Sequence, residues 1–336
     1  MEISKGGIPV FQKGVAPSLP SIFNDVIGPV MRGPSSSHCA AAVRIGRLAR
    51  DLMGGTVDEV LVEFHPDGSL ATTHESQGSD MGLFGGLLGW DATDERLVDS
   101  PQAIREAGVL VETRISDFPA FHPNTYRITL KKDETVHRMV ALSTGGGIIQ
   151  VIEIDGVGLD ISGDFQETLI FLPGPESGGG QKAGVDWDKE WGLDELPGTL
   201  MEAIDADECS VHSGGPSGEG VSIIQIKSQG ALPLELIRSL SPGLGEAEIR
   251  TLSPVLPVHS RKGMTVPFVT AKDFLEVLDP TTPLWRYAIR FEASRGGISE
   301  EEVLDRMEGI VGIMEGSVGE GMAGTRYQDR ILPPQT

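Results

Sequence analysis

Gly33, Pro34, Ser35, Ser36, Ser37 and His38 form the stretch whose residue types point most directly to chemistry. A rigid Gly-Pro turn leads into consecutive serines and a histidine, and the alanine-rich run that follows reads as a helix to about residue 53. Serine is a preferred helix N-cap because its hydroxyl satisfies a backbone N–H of the first turn. A single serine is enough for that task. The remaining hydroxyls and the imidazole then lie beside unpaired N–H groups and the positive end of the helix dipole, a setting that holds anions. Read alone, the stretch supports a carboxylate or phosphate pocket with a titratable neighbour, or a capped helix with a polar lead-in turn; both readings stay open.

A second polar turn has the same character. His74, Glu75, Ser76, Gln77, Gly78, Ser79 and Asp80 precede a helix expected from about residue 80, with Ser79 as its cap and Leu83, Phe84, Leu87 and Leu88 for burial. That helix carries Gly82, Gly85, Gly86 and Gly89, which lowers its intrinsic propensity but lets backbones approach closely. Two such turns facing each other would make a compact site for a small anion. Two further polar loops stand at 121–125 (Phe-His-Pro-Asn-Thr) and 143–147 (Ser-Thr-Gly-Gly-Gly). The triple glycine reads equally as a turn needing positive φ or as a place where a ligand meets main-chain amides.

The elements that must position these groups follow from periodicity. Ala41, Ile45, Leu48 and Leu52 share one face of the first helix, and Arg44, Arg47 and Arg50 fall mostly on another, read as a solvated stripe in preference to a ligand role. Residues 58–65 alternate as a strand, 69–73 read as a short extended segment, and Ser100 with Pro101 opens a short helix. Strands are expected at 109–115, 124–130, 137–142 and 148–154, the last three as an antiparallel meander. From residue 165 the pattern changes: strand 167–172, a loop-like stretch 174–198 anchored by Trp187 and Trp191, helix 199–204, strands 208–212 and 220–227, helix 232–240 and strand 248–255. That order, βαββαβ, is the ferredoxin-like arrangement. The tail is helical, with Thr270 and Asp273 as cap and N3 acid, Thr282 and Pro283 opening a helix, and Ser299 with Glu302 as a capping box. Leu304, Met307, Val311, Met314 and Val318 form one apolar stripe, read as a docking face for a partner.

Composition narrows the function classes. The 336-residue chain has a formal net charge of −22, which disfavours tracking nucleic-acid phosphates or an anionic membrane surface. No run approaches a membrane span and the N-terminus lacks the regions of a secretory signal, so the expected location is the cytoplasm. The two cysteines, Cys39 and Cys209, are expected as free thiols and cannot supply the ligands of an iron–sulfur cluster.

In order, the blocks at 33–38, 68–80, 122–125 and 143–156 resemble the β chain, or β domain, of bacterial iron–sulfur L-serine dehydratases. The resemblance spans 21–160; residues 166–258 are similar in element order to the ACT domain that often follows, and 284–335 resemble the opening segment of the family's α chain without its cluster-bearing body. The implied fold class is α+β: an extended lead-in (1–20), a β-type domain with an antiparallel sheet and helices (21–160), an ACT-like ferredoxin-fold domain (161–260) and a helical tail (261–336). Family members convert L-serine to pyruvate and ammonia with a [4Fe-4S] cluster held by α-chain cysteines. The resemblance therefore implies a cluster-bearing α-type partner, a small amino-acid substrate, a homo- or hetero-oligomer and no metal ligand in this chain. It puts His38, Ser36 and Ser37 in catalytic roles, and Ser35, Ser36, Ser37, Gln77, Gly78, Ser79, Asp80, His122, Asn124, Ser143, Gly145 and Gly146 around the substrate. One position departs from the pattern: the family turn reads K-G-H-G-[ST]-D, and Gln77 stands where its histidine is expected. Glutamine hydrogen-bonds but does not titrate near neutral pH; His74, three residues upstream, is the alternative. A lyase for another β-hydroxy or β-substituted amino acid, and a non-catalytic amino-acid-binding regulatory subunit, are the competing readings.

Overall fold

The small residues from Cys39 to Val43 are buried at every position, so the helix that contains them, α1 (Ser36–Leu52), is enclosed on several sides and becomes the axis of the packing. The computed structural model describes residues 19–172, 196–214, 222–240 and 247–323. With α2 (Leu70–Thr73) and α3 (Ser79–Leu87) introduced in chain order, α3 crosses α1 at backbone contact. A Cβ on Gly82 would strike the carbonyl oxygen of Cys39, and one on Gly86 that of Val43. On the facing helix, a Cβ on Gly46 would lie 2.5 Å from the carbonyl oxygen of Leu83. The glycines of α3 thus serve the close approach their density suggests.

A six-stranded sheet supports this helix pair, in the order β2-β1-β3-β4-β5-β6. Its strands are β1 (Glu59–Phe64), β2 (Leu110–Ile115), β3 (Thr125–Lys132), β4 (Thr135–Gly145), β5 (Ile148–Ile154) and β6 (Val157–Ile161). The β3-β4-β5 meander is antiparallel as expected, but β1 and β2 are parallel, so the sheet is mixed and not antiparallel throughout. The connection between them carries α2, α3 and α4 (Ser100–Glu106), and a helical crossover is what a parallel pair requires. Ser69 lies in a turn and residues 70–73 are helical, not extended: both edges of β1 are already taken by β2 and β3, and Leu70 is 1% exposed in the core. Strand β6 was not expected from the sequence. It pairs with β5 across Asp155 (φ 51°) and Gly156 (φ 80°), the Asp-Gly signature of a tight hairpin.

A second sheet, β10-β7-β9-β8, is antiparallel between all neighbours. It comprises β7 (Gln166–Leu172), β8 (Ala206–Ser213), β9 (Ser222–Ser228) and β10 (Glu248–Leu252), with α5 (Leu196–Ala203) and α6 (Leu234–Leu240) between strands. Strand β7 is buried on both faces. Leu169 and Phe171 join the core shared with α1 and the first sheet, while Ile170 and Leu172 pack with Leu200, Ile204 and Ile237 under the helices. Trp187, Trp191 and most of the expected loop lie outside the described residues; at 196–198 the chain is already helical.

The tail consists of α7 (Ala271–Val277), α8 (Leu284–Gly296) and α9 (Glu300–Ala323). The α7 capping box of Thr270 and Asp273 forms as expected. Buried Glu292 accepts from the Ser21 hydroxyl at 2.5 Å and from the N–H of Ile22 at 2.7 Å, pinning α8 to the start of the described chain. The stripe on α9 divides: Met307 packs beside Phe23 and Val258, whereas Leu304, Val311, Met314 and Val318 are 43–63% exposed.

His137 of β4 links the two sheets. Its Nδ1 lies 2.7 Å from Asp155 and its Nε2 3.2 Å from Glu248 at the head of β10, and its ring packs on Phe171. Burial alone would lower the pKa, but the two carboxylates outweigh it and the value is raised. A raised histidine pKa contributes stability in full below the unfolded value, and that contribution is lost as pH rises through the folded one. His137→Gln is expected to cost about 2 kcal/mol at pH 6, with the gap to wild type narrowing by pH 8.5 in urea denaturation; a pH-independent gap would contradict the link. Gly86→Ala is expected to destabilise by about 2 kcal/mol or more, because the methyl group meets backbone that cannot give way; thermal melts of the variant would show it.

Candidate active site

Helix geometry leaves the first-turn N–H groups of α1 without intrahelical partners. Ser35 occupies the N-cap position but its hydroxyl does not cap; it lies 2.8 Å from Nδ1 of His38 and holds the ring. The N–H groups of Ser36, Ser37 and His38 have no acceptor among the described residues. Ser36 is exposed, and Ser35, Ser37 and His38 are half-buried, so the imidazole is reachable and not sealed in the core.

The second turn lies against the first. The N–H of Ser35 donates to the carbonyl of Gln77 at 3.3 Å. Gly78 has φ +81° and forms the N-cap of α3, with Ser79 as the first helical residue and not the cap. A Cβ on Gly78 would lie 2.7 Å from Cδ of Pro34, so both the backbone conformation and the contact between turns require glycine. The Ser79 hydroxyl is buried beside that of Tyr126, whose pKa burial raises. Gln77 is half-buried, and its side-chain oxygen has no donor among the described residues.

His74 and Asp80 form a pair across this turn, with Nδ1 2.8 Å from both carboxylate oxygens and the ring 5.1 Å from that of Phe64. Burial raises the pKa of Asp80, against the opposing effect of His74. The turn therefore contains a titratable unit even though Gln77 is not one.

His122 and Asn124 belong to a neighbouring cluster. Nδ1 of His122 accepts the N–H of Asn124 at 3.1 Å. The Asn124 side chain accepts from the Ser69 hydroxyl and donates to the carbonyl of Ser143 at 3.4 Å, while the N–H of buried Ser143 returns a bond to the carbonyl of Asn124. These bonds tie the 68–69 turn to the end of β4. Gly145, Gly146 and Gly147 all have positive φ (115°, 61° and 82°), so the backbone itself demands glycine in the β4–β5 turn. Gly145 and Gly146 are exposed, whereas Gly147 packs against Met31 and its carbonyl accepts from Arg44.

Arg44 corrects the reading of the arginine stripe. It is 3% exposed, while Arg47 pairs with Asp91 nearer the surface. The legible signal was the unbroken small-residue run before it: a helix enclosed on that side cannot keep its next arginine in water. Two cysteines are too few to hold an iron–sulfur cluster by themselves. Burial pushes the Cys39 thiol on α1 to about 11 and that of Cys209 on β8 to about 12, aided there by Glu208. Thiolates are the ligands such clusters need. Among the described residues no group of three or more His, Cys, Asp or Glu is placed to hold a metal ion.

No protein-family model matches the chain. It is 41% identical over 150 residues to the probable L-serine dehydratase β chain of Bacillus subtilis (strain 168), a match covering 45% of this chain and 67% of that protein. It is 31% identical over 153 residues to the L-serine dehydratase β chain of Peptoniphilus asaccharolyticus, covering 44% of this chain and 67% of that protein. Identity at this level over two thirds of each relative goes beyond shared motifs, and the chain belongs to the family of L-serine dehydratase β chains.

Proposed function

We propose that the chain is the β-type subunit of an L-serine dehydratase, a lyase that releases pyruvate and ammonia and is completed by a cluster-bearing α-type chain in the cytoplasm. The observation that carries the reading is the joining of the two polar turns through the Ser35–Gln77 backbone bond and the Pro34–Gly78 contact. In this account the substrate carboxylate sits on the N–H groups of Ser36, Ser37 and His38, where the helix dipole favours an anion. The hydroxyls of Ser36 and Ser37 add donors. Ser35 engages Nδ1 of His38, leaving Nε2 to take the proton from Cα. Gln77 offers its buried side-chain oxygen to the substrate ammonium, and the paired His74 and Asp80 form a second proton-handling unit beside it. Loss of the Cα proton and the β-hydroxyl, as water, gives 2-aminoacrylate; its imine tautomer takes up water and yields pyruvate and ammonia. The partner is proposed to supply the [4Fe-4S] cluster, and no step here depends on a ligand from this chain. Asn124, His122, Ser143, Gly145 and Gly146 shape the neighbouring wall.

The domain reading is part of the proposal. The order β7-α5-β8-β9-α6-β10 with sheet order β10-β7-β9-β8 supports an ACT-like ferredoxin fold over 161–260, following the β-type domain at 21–160. The exposed Val311, Met314, Val318 and Met322 on α9 support docking of the α-type chain on the 261–336 tail. Among the described residues no helix is long and apolar enough to cross a membrane.

The test is anaerobic pyruvate formation from L-serine by the chain co-expressed with a cluster-bearing α-type partner. His38→Ala is expected to lower kcat by about 100-fold or more, and Ser36→Ala with Ser37→Ala to raise KM by about tenfold. Full activity in His38→Ala would overturn the assignment of the base. A different 2-oxo acid from a panel of β-substituted amino acids would overturn the substrate, and binding without turnover would leave a regulatory subunit.

A further inference from the structure

A cavity of about 480 Å³ lies between α1, the segments at 29–30, 91–93 and 254–257, and α9. None of the residues assigned above to the substrate lines it. Its walls are largely apolar, with Val30, Val43, Leu256, Ile310 and Ile313 among them, yet Arg44 also faces it. Arg44 is 3% exposed and forms no ion pair among the described residues. Its Nη1 donates to the carbonyl of Gly147, and its Nε is buried with no acceptor. Asp91 acts on Arg44 through space but is itself bonded to Arg47. A buried guanidinium without a bonded counter-charge is costly, so its donors at the cavity wall suit a carboxylate. The other charges around the cavity are already engaged: Arg47 with Asp91, and Arg306 with Glu302 and the carbonyl of Pro257. The vacant electrostatic demand is thus that of one negative charge, which favours a monoanion over a phosphate.

We propose that this cavity binds an organic monocarboxylate with an aliphatic body, its head on Arg44 and its chain along Val43, Leu256, Ile310 and Ile313. The volume is within the range of small-ligand sites. Burial holds Arg44 down at about 10, with Asp91 opposing and Arg47 adding, so it stays charged at neutral pH. The site uses neither polar turn and meets the substrate wall only through the Arg44–Gly147 bond in the β4–β5 turn.

The test is calorimetric titration of the full chain with octanoate, 1-octanol and octyl phosphate. Octanoate is expected to bind saturably, at least about tenfold tighter than octanol and no weaker than octyl phosphate. Arg44→Gln is expected to weaken octanoate by about tenfold or more. Gly309→Phe supplies a control that leaves Arg44 and its Gly147 contact in place. Gly309 lines the cavity at helical spacing from Arg306 and Ile313, and a Cβ there meets nothing within 4 Å. This variant is expected to keep the wild-type melting transition and lose octanoate binding. Equal affinity for octanol and octanoate, no saturable octanoate binding, or binding retained in Gly309→Phe would each overturn the proposal, whether or not Arg44→Gln folds.

Discussion

The backbone contact between α1 and α3 is the constraint from which the rest of the structure follows. Gly46, Gly82 and Gly86 replace side chains with main-chain surface at the crossing, and that approach sets the two helix N-termini beside each other. Once they are adjacent, Pro34 closes on Gly78 and the chain at Ser35 bonds to Gln77. The free first-turn amides of α1 and the Gln77 turn then lie side by side, while the first amides of α3, at Ser79 and Asp80, are taken by the carbonyl of His74. A methyl group at the crossing would move one helix end relative to the other, and the site is built from loops too short to absorb that displacement.

Around this pair, the remaining elements are held by a few buried polar links. Helix α1 touches α3, the first sheet through β4 and β5, and the second through β10. The sheets share apolar contacts from Leu169, Phe171, Ile223 and Leu252, and His137 adds a polar tie between Asp155 and Glu248. Farther out, Arg295 of α8 donates to the carbonyl of Leu19 at 2.8 Å and the hydroxyl of Ser260 at 2.6 Å, while Glu292 takes the Ser21 hydroxyl. His137, Glu292 and Arg295 are each buried with a partner, the condition under which burying charge is tolerable. Arg44 is the departure from that pattern.

Much of this was legible in the sequence because it rests on local rules. The antiparallel meander at β3 to β5, the helix that opens at the serines and the glycine-dense α3 follow from alternation and spacing, whereas neither Ser35 nor Ser79 caps its helix through its side chain. Tertiary demands erased other signals. Thr72 and Thr73 favour extended backbone, yet with both edges of β1 occupied by β2 and β3 they coil into α2. The parallel β1–β2 pair depends on where a long crossover returns, which no local pattern encodes. Strand β6 is announced by Asp155 and Gly156, but at five residues it is too short for its alternation to stand out. Within the site, the serine turn and the Gly78 turn were recognisable by residue type, whereas the pairing of His74 with Asp80 and the burial of Arg44 depend on three-dimensional neighbours.

The chain thus presents donors, an imidazole and a carboxylate–histidine pair, and the proposed function assigns the iron to a partner. The most direct measurement is nitrogen-15 NMR of the selectively labelled β-type chain, assembled with its partner and titrated with L-serine. The account predicts that the largest shifts fall on the backbone amides of Ser36, Ser37 and His38 and on the Gln77 side chain, with D-serine producing smaller ones. Perturbations concentrated around His122 and Asn124, with the α1 amides unmoved, would contradict it.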